Sequence, residues 1–166
     1  MHRRSGLIGA LLALAAPAAA AAISIAVGPV SIPELVDRPQ LVVRVSANQV
    51  AITEQARWAE PLRSAIARVV AANLAAALSA RVVAQRTGEP DFRVLIDVQR
   101  FESAPGDAAL IDAVWTVVPQ KGARASGRSV ARERVAGKDY DALVAAHGAA
   151  LAAVSREIAA AIRSQR

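Results

Sequence analysis

The chain has 166 residues, a formal net charge of +6, and no cysteine. That rules out disulfides, thiolate metal sites and cysteine nucleophiles, and it leaves room for one domain with a real core. Aromatics make up 3% of the residues against 54% hydrophobics, so the core has to be aliphatic.

The N-terminus reads as a secretory leader. Arg3 and Arg4 form a basic start, residues 7–16 are an apolar run, and alanines follow to Ala22 with several A-x-A frames. Pro17 interrupts a stretch that is otherwise mostly alanine and too short to span a bilayer. The expected division is a signal peptide over residues 1–22 and one domain over 23–166. Two of the 20 cations lie in the leader, and those that remain exceed the 14 acids by four.

Past the leader, residues 23–27 are a β-branched run ending at Gly28-Pro29, a turn or bulge signal. Pro33 limits residues 30–35 to an edge segment, and Asp37-Arg38-Pro39 is a further break. Residues 41–45 and 50–53 read as the two arms of a hairpin around Ala47-Asn48-Gln49. A helix follows, with Pro61 in its first turn and an end near Ser79. Leu62, Ile66, Val69, Val70, Leu74, Ala77 and Leu78 recur along one stripe, while Arg63, Arg68 and Arg81 lie off it.

Residues 87–90 form a loop. Phe92, Val94, Ile96 and Val98 then alternate with Arg93, Leu95, Asp97 and Gln99, giving a strand with one apolar face. Pro105-Gly106 marks a turn, Ile111, Ala113, Trp115 and Val117 mark the next antiparallel strand, and residues 120–122 turn again. Residues 125–135 make a last, more polar strand. Asp139 caps a final helix whose stripe is Leu143, His147, Leu151, Val154, Ile158 and Ile162. Three strands, a helix, three strands and a helix predict an α+β fold: a single, mostly antiparallel β-sheet with two amphipathic helices packed on one face.

The sequence offers no catalytic inventory. It has no G-x-S-x-G, P-loop, G-x-G-x-x-G or H-E-x-x-H pattern, and nothing calls for a metal or cofactor. His147 sits on an apolar stripe with no acid or second histidine at i±3 or i±4, which favours a structural role. Lys121, Arg124, Arg128, Arg132, Arg134 and Lys138 form a basic tract in which the four arginines share parity. The tract lacks aromatic platforms for nucleic acid. It reads as a solvated edge strand, with contact to an anionic partner or lipid headgroups as the alternative. Arg57-Trp58 stands at the entrance of the first helix and reads as packing under a cation–π lid, or equally as a partner-facing hot spot.

Two segments carry a family resemblance. The run V-G-P-V-S-I-P-E-L-V-D-R-P-Q-L-V at residues 27–42 and the run R-W-A-E-P-L at residues 57–62 are similar to the two signatures of the paraquat-inducible protein C family, the auxiliary lipoproteins of MCE-type transporters. Phe92-Arg93-Val94, Phe101-Glu102, Ala113-Val114-Trp115 and the stretch from Tyr140 to Ile158 extend the likeness to about residues 25–162.

The resemblance implies a non-enzymatic periplasmic accessory subunit, usually associated with the outer membrane. Its partner would be an inner-membrane MCE-domain protein, and together they would move lipid between the membranes. The motif positions are Pro33, Arg38, Pro39, Gln40, Arg57, Trp58, Pro61 and Leu62, in either a structural or a partner-binding role. A homo-oligomer is compatible with this reading, and nucleic acid is not an expected partner. Pro17 stands where family members carry the lipobox cysteine. A soluble periplasmic protein, cleaved near Ala20 or Ala22 and held at the membrane by its partners, is therefore expected. Competing readings are a stand-alone periplasmic carrier of lipid or a small ligand, and a hydrolase whose site forms only in the fold.

Overall fold

The computed structural model describes residues 22–84 and 88–166. The expected signal peptide, apart from Ala22, lies outside them, as does Thr87 of the expected loop.

Strand β1 (Ser24–Ser31) is buried along nearly its whole length and lies inside a five-stranded sheet of order β4-β1-β5-β6-β7. The other strands are β4 (Arg81–Val82), β5 (Phe92–Ala104), β6 (Ala108–Pro119) and β7 (Ala125–Arg134). β1 runs parallel to both of its neighbours, whereas β5, β6 and β7 form an antiparallel meander. Its continuous apolar run suits a strand covered on both faces. The Gly28-Pro29 signal is a bulge rather than an end. Gly28 has a φ of 120°, the β1/β5 register shifts between Val27 and Val30, and the strand continues to Ser31.

The expected single sheet is corrected to two. β2 (Gln40–Arg44) and β3 (Val50–Arg57) pair only with each other, as a separate two-stranded sheet, and the large sheet is mixed. The physical reason lies between β1 and β2. A 3-10 turn at Glu34–Val36 follows Pro33, and Pro39 has no N–H to continue a ladder. The chain therefore leaves the sheet and folds its hairpin over the far end of β5 and β6. There Leu41 and Val43 pack with Ala109, Val135, Leu143 and Ala146. Arg44 also reaches Glu102 of β5 at 3.0 Å.

The two helices pack on one face of the large sheet, as the alternation in β5 and β6 requires. Val94, Ile96, Val98, Ile111 and Val117 share a core cluster with Ile66, Val70 and Leu74 of α1 (Leu62–Leu78) and with Leu151, Val154 and Ile158 of α2 (Tyr140–Arg163). Pro61 stands one residue before α1, and its carbonyl accepts the N–H groups of Ser64 and Ala65. The predicted α1 stripe holds except at its edges, where Val69 is half-buried and Ala77 exposed. α1 ends on Ser79, which is left-handed at φ 50°. Asp139 caps α2 as expected, its carboxylate accepting the N–H of Ala142 at 2.7 Å. Between the helices, Asn73 Nδ2 donates to Ser155 Oγ at 3.2 Å.

One feature of β5 escapes a simple alternation. The β5/β6 register shifts between Val98 and Arg100, and two successive residues, Gln99 and Arg100, are exposed. A bulge of this kind reverses side-chain parity. Beyond it the odd residues Phe101 and Ser103 turn inward toward α2.

Candidate functional site

The two motif runs lie far apart in the chain but meet in space. Gln40 and Arg57 are register partners across the hairpin, and the Trp58 N–H donates to the Pro39 carbonyl at 2.8 Å. Asp37 forms an ion pair with Arg63 on the first turn of α1. Arg38, Pro39, Trp58, Pro61 and Leu62 thereby line one open cleft of about 390 Å³ at the N-terminal end of α1. The roles within the set differ. Leu62 is 4% exposed and belongs to the core, whereas Arg57, Pro39 and Pro61 are exposed and Arg38, Gln40 and Trp58 half-buried. Pro33 stands apart, at the start of the 3-10 turn, beside a smaller cleft with Leu35, Val36 and Arg44.

Trp58 joins this cleft to a second one. Its indole meets two rings edge-on: Phe101 at a centroid distance of 5.9 Å and 76°, and His147 at 6.2 Å and 70°. Phe101 and His147 stack flat at 4.1 Å and 7°. The packing partners of Trp58 are thus rings brought in by β5 and α2, where sequence reasoning placed a guanidinium lid. Behind the rings, an apolar cleft of about 320 Å³ opens between α1 and α2.

His147 is buried, as its stripe position suggested. Its Nε2 lies 2.8 Å from Ser103 Oγ, and its Nδ1 is buried without a hydrogen-bond partner. Burial pushes its pKa down from 6.5 to about 4, so the ring is neutral at pH 7. A neutral, stacked imidazole is built to pack and to make one or two hydrogen bonds.

The basic tract is distributed differently from a uniform face. Arg124 precedes β7 and is exposed, and Arg128, Arg132 and Arg134 project from the exposed side of the strand. Arg128 makes a two-pronged contact with Asp112 on β6, at 2.8 and 2.6 Å. The Arg128 guanidinium holds the Asp112 carboxyl below the usual carboxylate range. Arg132 pairs with Asp107 at 2.9 Å. Arg124 and Arg134 keep exposed charge.

Sequence reasoning missed Phe101 and Ser103 as site residues. The aromatic at position 101 was a visible signal, but its direction depends on the bulge. It also missed Gly127, which leaves room for the Trp115 indole to lie across β7; a Cβ there would fall on the indole's six-membered ring. Trp115 Nε1 donates to Ser129 Oγ at 2.9 Å, and Ser129 Oγ donates to Glu157 of α2 at 2.6 Å.

Fold and site together are a mixed sheet carrying two helices on one face, with two open clefts beside the motif residues. The chain belongs to the family of ABC-type transport auxiliary lipoprotein components, whose model matches residues 10–159. This bears out the expected kinship and makes the protein an accessory component of transport at the cell envelope, in a family that is not one of enzymes. No curated protein matches the chain. Two solved structures share the fold. One, of an uncharacterized protein, is 23% identical, covers 84% of this chain and 92% of its own, and has a TM-score of 0.76. The other, a protein from Xanthomonas campestris, is 24% identical, with 88% and 90% covered and a TM-score of 0.68.

Proposed function

We propose that the protein is the non-enzymatic accessory subunit of an MCE-type intermembrane lipid transport system, docking in the periplasm onto an inner-membrane MCE-domain protein. The observation that supports it is the meeting of the D-R-P-Q and R-W-A-E-P-L runs in one open cleft, in a chain of the transport-auxiliary family. Two segments brought together with exposed Arg57, Pro39 and Pro61 offer a contiguous surface for a partner. Arg124 and Arg134 are the members of the basic tract best suited to an anionic partner or to headgroups.

Co-purification from a Gram-negative envelope tests the reading. An MCE-domain protein recovered with the wild-type chain, and lost with Arg38→Glu plus Arg57→Glu, is the expected result. Equal recovery with both chains, or no such partner, would overturn it. In this reading the mature chain starts near Ala20 or Ala22. Mass spectrometry of the N-terminus is expected to give an unmodified terminus there, and a lipid-modified or uncut one contradicts it.

A further inference from the structure

The motif cleft at the N-terminal end of α1 carries information about what it can hold. Its apolar wall is the Trp58 indole with Pro39, Pro61 and Leu62. Pro39 and Pro61 have no N–H, and the Trp58 N–H is already given to the Pro39 carbonyl. This wall cannot supply the row of backbone donors that an added β-strand pairs with. Recognition therefore falls to side chains, with the half-buried indole as the apolar anchor.

The charges around the indole are not balanced. Asp37 and Glu60 line the cleft, but both are held internally: Asp37 by Arg63, and Glu60 by Arg68 at 2.9 and 2.5 Å. Arg38 lines the same cleft and makes no ion pair or hydrogen bond among the described residues; its buried Nε is itself unpaired. Arg57 is exposed, has no charged or hydrogen-bonding partner among the described residues, and lines the adjoining cleft that shares the indole. Its register partner across the hairpin is the uncharged Gln40. With the acids neutralised, the charge left free beside Trp58 is that of two arginines. An unpaired guanidinium matches a carboxylate, which accepts two parallel N–H bonds from it.

We infer that the motif cleft takes a short, extended, acidic segment of a protein partner, with an apolar side chain on Trp58 and carboxylates on Arg38 and Arg57. The inference rests on the docking reading of the same surface and adds the character of the segment that docks.

A phage-displayed library of random peptides, panned on the purified protein, is the test. Selected sequences are expected to be enriched in Asp and Glu around an aliphatic residue or proline. The leading sequence, made as a synthetic peptide, is expected to shift the Trp58 indole N–H resonance saturably. The resonance of Trp115, which is buried and bonded to Ser129, is expected to stay in place. Arg38→Glu plus Arg57→Glu should weaken binding at least about tenfold. Arg156→Glu plus Arg166→Glu makes the same change in net charge at exposed positions that do not line the cleft, and should keep wild-type affinity. In each variant an unmoved Trp115 resonance reports an intact fold. No acidic enrichment, equal shifts of both indoles, or equal loss in the two charge-reversed variants would overturn the inference. So would phosphatidylglycerol vesicles that bind through Arg38 and Arg57 when no acidic peptide is selected. An MCE-domain protein that co-purifies through these arginines without acidic selection would overturn the acidic segment alone. Acidic selection with no MCE-domain protein recovered would support the segment and overturn only the identity of the partner.

Discussion

The backbone N–H of Trp58 donates to the carbonyl of Pro39 across 2.8 Å, joining the two motif runs through residues 19 positions apart in sequence. Through this bond the indole is held at the top of both clefts, against Phe101 and His147. Replacing Trp58 with alanine removes the shared wall. We expect Trp58→Ala to cost about 2–3 kcal/mol in urea unfolding and Trp58→Phe about 1 kcal/mol, because the half-buried ring contributes area and edge contacts that phenylalanine partly retains. Equal stability of the two variants would contradict the ring-packing role.

His147 gives the fold a defined pH dependence. Its folded pKa of about 4 lies below the unfolded value of 6.5. The unfolded chain therefore binds more protons between these values, and stability falls as pH drops through that window. Above 6.5 the histidine adds no pH dependence, and below about 4 its effect is complete. At 1.36 kcal/mol per pKa unit the loss approaches about 3 kcal/mol. Denaturant midpoints measured from pH 7 to pH 4 should fall in the wild type and fall much less in His147→Phe.

Asp112 acts in the next window down. Its carboxyl is held below the ordinary range chiefly by the hydrogen bonds from Arg128, so its contribution is present above the unfolded pKa and is lost as pH falls through the folded one. Arg128→Met should remove that part of the acid sensitivity below pH 4 and lower stability at pH 7. Unfolding curves at pH 7 and pH 3 check both signs.

Gly127→Ala should destabilise by about 1–3 kcal/mol, since the new methyl group would strike the Trp115 ring, which is itself buried and bonded to Ser129. The Trp115–Ser129–Glu157 chain would be disturbed with it. A loss of Trp115 fluorescence anisotropy together with a lower Tm is the expected signature.

Ser79→Gly should do the reverse. Ser79 closes α1 in the left-handed region at φ 50° and is exposed. Relief of the Cβ clash there is expected to stabilise by about 1 kcal/mol, read as a higher urea midpoint with an unchanged slope.

The elements legible in the amino-acid sequence are those set by local spacing. The stripes from Leu62 to Leu78 and from Leu143 to Ile162, the alternation from Phe92 to Val98, and the Asp139 cap all appear where short-range periodicity puts them. So does the turn at Pro105-Gly106, where Gly106 has a φ of 75°. The motif residues are also visible as a set, because their order along the chain carries the family pattern.

The tertiary structure alone decided which of these elements touch. β1 pairs in parallel with strands that come after α1, and the hairpin forms its own sheet, because ladder pairing depends on long-range register that local spacing does not encode. One extra residue near Gln99 turned Phe101 and Ser103 toward His147 and so created the cleft wall. The Arg128–Asp112 and Arg132–Asp107 pairs likewise required the strands to align before half of the four-arginine face could be neutralised internally. Residue spacing determined the helices, the strands and the turn positions. The sites arose only where residues distant in sequence came within hydrogen-bond and van der Waals range.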